Sequence, residues 1–304
     1  MCPLSGKRPP DRPSLERPAV AVKVENNPVA YPLSGLERAE IVYEEVVEGG
    51  ITRFMALYHC TDASMIGPVR STRIVDGPIV RPITRLLAAA GGNAIVRRHL
   101  RKDRVIILDE PTSGDAMRRV DRGSISMEHT LYGDSKKLRA LGEKRFDKPP
   151  PEDLFTFGDP QGKGRRVREV SLRFSNATTV AYRWKDGRWL RFDDGRPLED
   201  PSGKQIGVDN VLVERHEVNF SKHVTDVAGN FSIEIADTKG RGQAVLLRDG
   251  RAYPGRWVRK SEKEPVAFRT KSGDPLTLRP GTTWIELLPS GKGEIKGSMT
   301  LRSK

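Results

Sequence analysis

Two glutamates four residues apart, Glu44 and Glu48, stand in a β-rich run that turns at Gly49-Gly50 and returns through Arg53. A two-glycine loop pairs Glu48 with Ile51, Val46 with Arg53 and Glu44 with Met55, so Glu44, Glu48 and Arg53 are expected on one face of a hairpin. A one-residue slip would scatter them. Their Cα atoms would lie about 13 Å apart, so the carboxyls reach the wide spacing of inverting glycoside hydrolysis only if both lean inward. Arg53, diagonally between them, would keep one carboxyl ionised, while burial could hold the other protonated as an acid. An ordinary polar face with a cross-strand ion pair is the structural alternative.

Further candidates lie downstream. Arg70 and Arg73 follow Gly67-Pro68, and their planar forks suit phosphate or carboxylate, or equally tether Glu44, Glu45 or Glu48. His129, close to Tyr132, could act as a general acid or base, or pack as a hydrogen-bonded histidine. Gly91-Gly92 could bring backbone N–H groups close to an anion, or simply turn the chain. Asn26, Tyr132, Gly91 and Gly92 join the three arginines as candidate ligand contacts, with Glu44, Glu48 and His129 as candidate catalytic groups.

Other chemistries lack their residues. There is no Walker A, GxSxG or DxDxDG motif, and His216-Glu217 is followed by Phe220 where a zincin helix needs its second histidine. No cysteine-histidine cluster has zinc-ligand spacing, so neither a metal nor a cofactor is expected. Cys2 and Cys60 are too few for a disulfide framework and read as two separate thiols, a bridge between them being the alternative.

The 304 residues suit two domains, each large enough to bury a core. Hydrophobic residues at 36% and charged residues at 31% describe a globular chain, while 22 prolines and 29 glycines imply many turns. No apolar run approaches the length of a membrane-spanning helix, and Met1 is not followed by a signal-peptide pattern. The net charge of +13 attracts polyanions in general: nucleic acid, anionic headgroups or wall polymers. The basic residues are dispersed and no nucleic-acid-binding signature accompanies them, so specific nucleic-acid binding is not expected.

These candidates need elements to position them. Residues 1–18 read as an extended Pro/Arg-rich arm, 19–160 as a first domain, 161–170 as a linker, 171–290 as a second domain and 291–304 as a flexible tail. A strand over 19–25 precedes the 41–59 hairpin. Ile79, Val80, Ile83 and then residues 86–90 have near-helical spacing, and 105–108 resembles an interior strand. Asp134 should cap a helix through Leu138 and Leu141. From Ser171 onward, strands alternate with Asp186-Gly187, Asp194-Gly195, Asp249-Gly250 and Ser272-Gly273, all hairpin-type dipeptides. The fold class is therefore α+β: a mixed α/β first domain followed by a β-rich, mainly antiparallel second domain.

The run from Ile41 to Phe54, followed by Gly67-Pro68-Val69-Arg70-Ser71-Thr72-Arg73, closely resembles the hallmark of YerB-like bacterial lipoproteins. Agreement extends through Pro3-Leu4-Ser5-Gly6, Ser34-Gly35-Leu36, Gly91-Gly92, His129-Thr130-Leu131-Tyr132, Asp209-Asn210-Val211, Arg248-Asp249-Gly250, Gly255-Arg256-Trp257 and Pro280-Gly281-Thr282-Thr283-Trp284. The resemblance implies two consecutive domains of unknown function and an extracytoplasmic protein tethered through a lipidated cysteine upstream, an anchor this chain lacks. Asn27, Tyr31, Ala89, Asn93 and Thr130 depart from residues common in such proteins, so that any site they form part of is altered in this chain. Three functions follow as expectations: a non-enzymatic envelope protein binding cell-wall glycan or an anionic envelope polymer; a peptidoglycan-active, glycosidase-like enzyme using Glu44, Glu48 and His129; and non-specific nucleic-acid binding. A protein partner is a further possibility.

Overall fold

The computed structural model describes residues 1–226 and 229–303. Its centre is a mixed sheet, entered through β1 (Val20–Asn26), β2 (Ile41–Val46) and β3 (Thr52–Tyr58). Every residue of these three strands is buried, so alternate side chains feed two separate cores. Val22, Val24, Val42, Val46, Phe54 and Ala56 pack on one face; Ala21, Ile41, Tyr43, Met55 and Leu57 pack on the other.

β4 (Leu86–Ala88) and β5 (Ile106–Leu108) extend this sheet in parallel beyond β1. Two expectations are corrected here. Residues 86–88 form a strand rather than part of a helix, because pairing of Ala21 with Leu87 and Val22 with Ala88 recruits them. Residues 106–108 lie at the sheet's edge rather than its interior, with Ile106 and Ile107 only half-buried. Helix Ser135–Gly142 forms as expected, with Asp134 accepting the Lys137 N–H at 3.0 Å.

On the other side, β2 pairs in parallel with strand Thr283–Pro289, which pairs in parallel with strand Asn210–His216. Strands Gly240–Arg248, Arg251–Arg259 and Ala267–Thr270 complete the sheet in antiparallel fashion. One hydrogen-bonded sheet thus runs through residues from both halves of the chain. A second, antiparallel sheet built on Glu169–Arg173, Thr179–Lys185 and Arg188–Asp193 contributes Val170, Leu172, Tyr182 and Trp189 to the first core. Asp186-Gly187, Asp194-Gly195 and Asp249-Gly250 have positive φ at both residues and close hairpins, as their sequence implies.

The outlying segments are more ordered than expected. Strand Ser298–Arg302 pairs with Glu169–Arg173, so the expected flexible tail is tied to the second sheet over 298–302. Arg165 and Arg166, within the expected linker, pair with Ala252 and Arg251. Leu4 is fully buried in the arm, and Cys2 is bonded to Cys60 rather than carrying a free thiol. No helix among the described residues is long and apolar enough to cross a membrane.

Candidate functional site

The hairpin decides where the candidate groups go. Its loop spans three residues, Glu48–Gly50, with φ of 74° and 75° at the two glycines, and Val47 N–H donates to Ile51 O at 2.8 Å. Val46 therefore faces Thr52, Glu45 faces Arg53 and Glu44 faces Phe54, one residue out of the expected register. The expected single face of Glu44, Glu48 and Arg53 is corrected accordingly: Glu44 turns to one side of the sheet, while Glu48 and Arg53 serve the other.

On its own side Glu44 is fully buried. Arg191, itself inaccessible to solvent, reaches it at 2.7 Å from the second sheet and contacts Asp193 at 2.6 Å. Thr52 Oγ1 donates to Glu44 at 2.6 Å. Asn26 donates to Thr52 at 2.7 Å, and the Tyr31 hydroxyl lies 2.5 Å from Asn26 Oδ1 and 3.0 Å from Asp193, its one proton shared between them. Burial alone would raise the Glu44 carboxyl, but the Arg191 charge and these hydrogen bonds hold it below the usual range. Its strand neighbour Glu286 is driven well above that range by burial and by the Glu44 charge, and accepts from Tyr182. The guanidinium carbon of Arg191 lies 4.7 Å from the Trp284 ring centre and 5.1 Å from that of Phe54. The cluster joins the two sheets with no opening to solvent at its charged centre.

The opposite side carries a cavity of about 470 Å³ whose lining includes Glu48, Arg53, Arg70, Ser71, Arg73 and Asn93. Arg73 Nε donates to Glu48 at 2.8 Å, and this cation overcomes burial to hold the Glu48 carboxyl down. Arg70 Nε lies 3.4 Å from Glu25, whose other oxygen is 2.7 Å from His129 Nδ1. His129 is thus linked to the cavity through Glu25 and Arg70, and Tyr132 is buried outside its lining. Beneath the cavity, Lys23 is enclosed between Glu45 and Asp76, and burial raises Glu45 to about 7 despite the Lys23 charge.

Arg53 differs from its neighbours. Only 7% exposed, it donates from Nη1 to Ser71 O and Oγ at 3.2 Å and forms no ion pair among the described residues. Burial, followed by the neighbouring Arg73 charge, lowers its pKa to about 10, so it remains a cation at neutral pH.

Gly92 also lines the cavity, and glycine is required there: φ is 139°, and a Cβ would stand 2.1 Å from Thr72 Oγ1. Gly91 lies beside it, its N–H 3.5 Å from Asp109. Asn93 caps helix Ala94–Lys102 and donates to Thr225 O at 2.9 Å. Of the other sequence departures, Tyr31 belongs to the Glu44 cluster, Ala89 and Thr130 are buried, and Asn27 caps a short turn. Glu25, Lys23, Arg191 and Glu286 escaped sequence reasoning. Glu25 opposite Arg53 was accessible through strand alternation, whereas Arg191 carried no local signal.

One grouping among the described residues, Cys2, Glu40 and Cys60, has metal-ligand types close together. Its sulfurs are bonded to each other, and Glu40 accepts from His59 N, Cys60 N and Ser5 Oγ at 2.6, 2.8 and 3.1 Å. Those groups are already engaged.

Two family models match the chain, described as Protein of unknown function (DUF3048) N-terminal domain over residues 4–148 and C-terminal domain over residues 170–285. "Putative lipoprotein YerB" of Bacillus subtilis (strain 168) is 28% identical over 305 residues, covering 94% of this chain and 86% of that protein. The crystal structure of YerB protein from Bacillus subtilis superposes with a TM-score of 0.80 over 99% of each chain at 23% identity, a likeness of fold. The chain belongs to the DUF3048 family, whose two consecutive domains make up most of its length.

Proposed function

We propose that the protein is a non-enzymatic component of the cell envelope that holds a wall glycan or anionic envelope polymer in the Arg53 cavity. The observation that carries this reading is Arg53: a cation nine-tenths buried, at the wall of an open cavity, with no carboxylate within ion-pair distance among the described residues, the Glu48 and Glu25 charges acting on it only from farther away. A buried charge is costly unless matched, so an anionic ligand would satisfy this one. The envelope location is supported by the relative described as a lipoprotein, and by the Cys2–Cys60 disulfide, a bond that persists in oxidising compartments. An anchor upstream would tether the protein, as the family resemblance implies.

A glycosidase-like reading has less support. Two carboxyls must flank one glycosidic bond. Glu44 lies across the sheet from Glu48, and Glu48 is held ionised by Arg73. Nucleic-acid binding rests on net charge alone.

Incubation with purified wall sacculi tests the proposal. Retention at low salt, no released glycan fragments, and weaker retention of an Arg53→Met variant are expected. Release of fragments by the wild type would replace binding with catalysis, and absence of both retention and release would defeat the proposal.

A further inference from the structure

We propose that the group the cavity selects is a phosphoryl, as a phosphate ester or diester, in preference to a carboxylate. This rests on the polymer-binding reading and narrows its ligand. Donors reach the cavity from several directions. Arg53 stands on β3, while Arg70 and Arg73 stand on the segment that follows it, with Ser71 and Thr72 between them. Gly92 and Asn93, at the start of the nine-residue helix Ala94–Lys102, form another wall. A carboxylate presents two oxygens in one plane, which a single guanidinium fork can satisfy. A phosphoryl presents oxygens in tetrahedral directions and can engage several forks, hydroxyls and a helix N-terminus together.

Each local acid has a partner, Glu48 through Oε2 alone, its Oε1 accepting no hydrogen bond among the described residues. Glu48 is held by Arg73, Glu25 lies between His129 and Arg70, and the Asp226 carboxylate accepts from Asn230 N at 2.8 Å and Nδ2 at 3.0 Å. Arg53 Nε and Nη2 have no hydrogen-bond acceptor among the described residues, and the arginine is more than nine-tenths buried. This independent feature makes the helix terminus relevant. Phosphoryl groups occur both on soluble polymers and on lipid headgroups, and the cavity chemistry is common to the two.

Titration calorimetry at fixed ionic strength, with linear polyphosphate and with polyglutamate of matched charge, provides the test. The wild type is expected to bind polyphosphate at least tenfold more tightly. Arg53→Met should abolish that preference, Arg53→Lys should retain part of it because the charge survives without the fork, and Arg101→Ala, on the exposed part of the helix, should leave it intact. Thermal unfolding of each variant distinguishes lost binding from lost folding. Competition by phosphatidylglycerol vesicles supports a lipid-borne phosphoryl, and its absence supports a polymer-borne one. Equal affinity for the two polymers would overturn phosphoryl selectivity while leaving anionic-polymer binding standing. Binding of neither polymer, together with no retention on sacculi, would overturn both.

Discussion

Replacing Arg191 by methionine would remove the cation joining the second sheet to the central one, while keeping a long apolar side chain in its place. The structure sets the scale. Arg191 and Glu44 are fully buried and 2.7 Å apart, and Asp193 lies 2.6 Å from the same guanidinium. Removing one partner of such a cluster leaves a buried carboxylate unmatched, which costs about 3–5 kcal/mol. For a chain this long, that lowers the melting temperature by on the order of 10 °C. The pH dependence separates charge loss from simple packing loss. In the wild type the Glu44 carboxyl is held below its ordinary value, so its contribution is present above that value and fades as pH falls through the folded one. In the variant, burial without Arg191 raises the same carboxyl, so protonation relieves the penalty, and the wild-type advantage should shrink between about pH 7 and pH 4. Urea unfolding at three pH values, followed by tryptophan fluorescence, measures this. A loss below about 1 kcal/mol, or one independent of pH, would refute the view that Arg191 matches the Glu44 charge.

Reduction of Cys2–Cys60, or its replacement by two serines, frees a segment whose ends are 58 residues apart and should cost about 4 kcal/mol by loop-closure entropy; thermal scans with and without reductant read the shift, and titratable thiols in the untreated protein would contradict the bond. His216 lies between Glu214 and Asp237, whose hydrogen bonds overcome burial and raise it to about 9. Because this folded value exceeds the unfolded one near 6.5, its contribution is fully present below about pH 6.5 and lost as pH rises through 9. An imidazole NMR titration should show a midpoint near 9, and a midpoint at or below 6.5 would remove the effect.

Local chemistry made several features legible from sequence. The Asp-Gly hairpins, the Asp134 cap and the presence of the 41–59 hairpin all depend on residues adjacent in the chain. Arg53, Arg70 and Arg73 could be singled out because fork-shaped cations on a turn-rich segment are recognisable wherever they fold. The register of that hairpin was not legible, since two- and three-residue readings of the glycine turn fit the same apolar pattern, and both faces of the strand are buried. That one-residue difference sends Glu44 to Arg191 and leaves Glu48 with Arg73. Distant pairings decided the rest. Residues 86–88 become a strand beside β1, Thr283–Pro289 inserts between β2 and Asn210–His216, and Cys2 meets Cys60. Turn and cap preferences act over a few bonds, whereas parallel pairing and the matching of buried charges depend on partners brought together only when the whole chain closes around its cores.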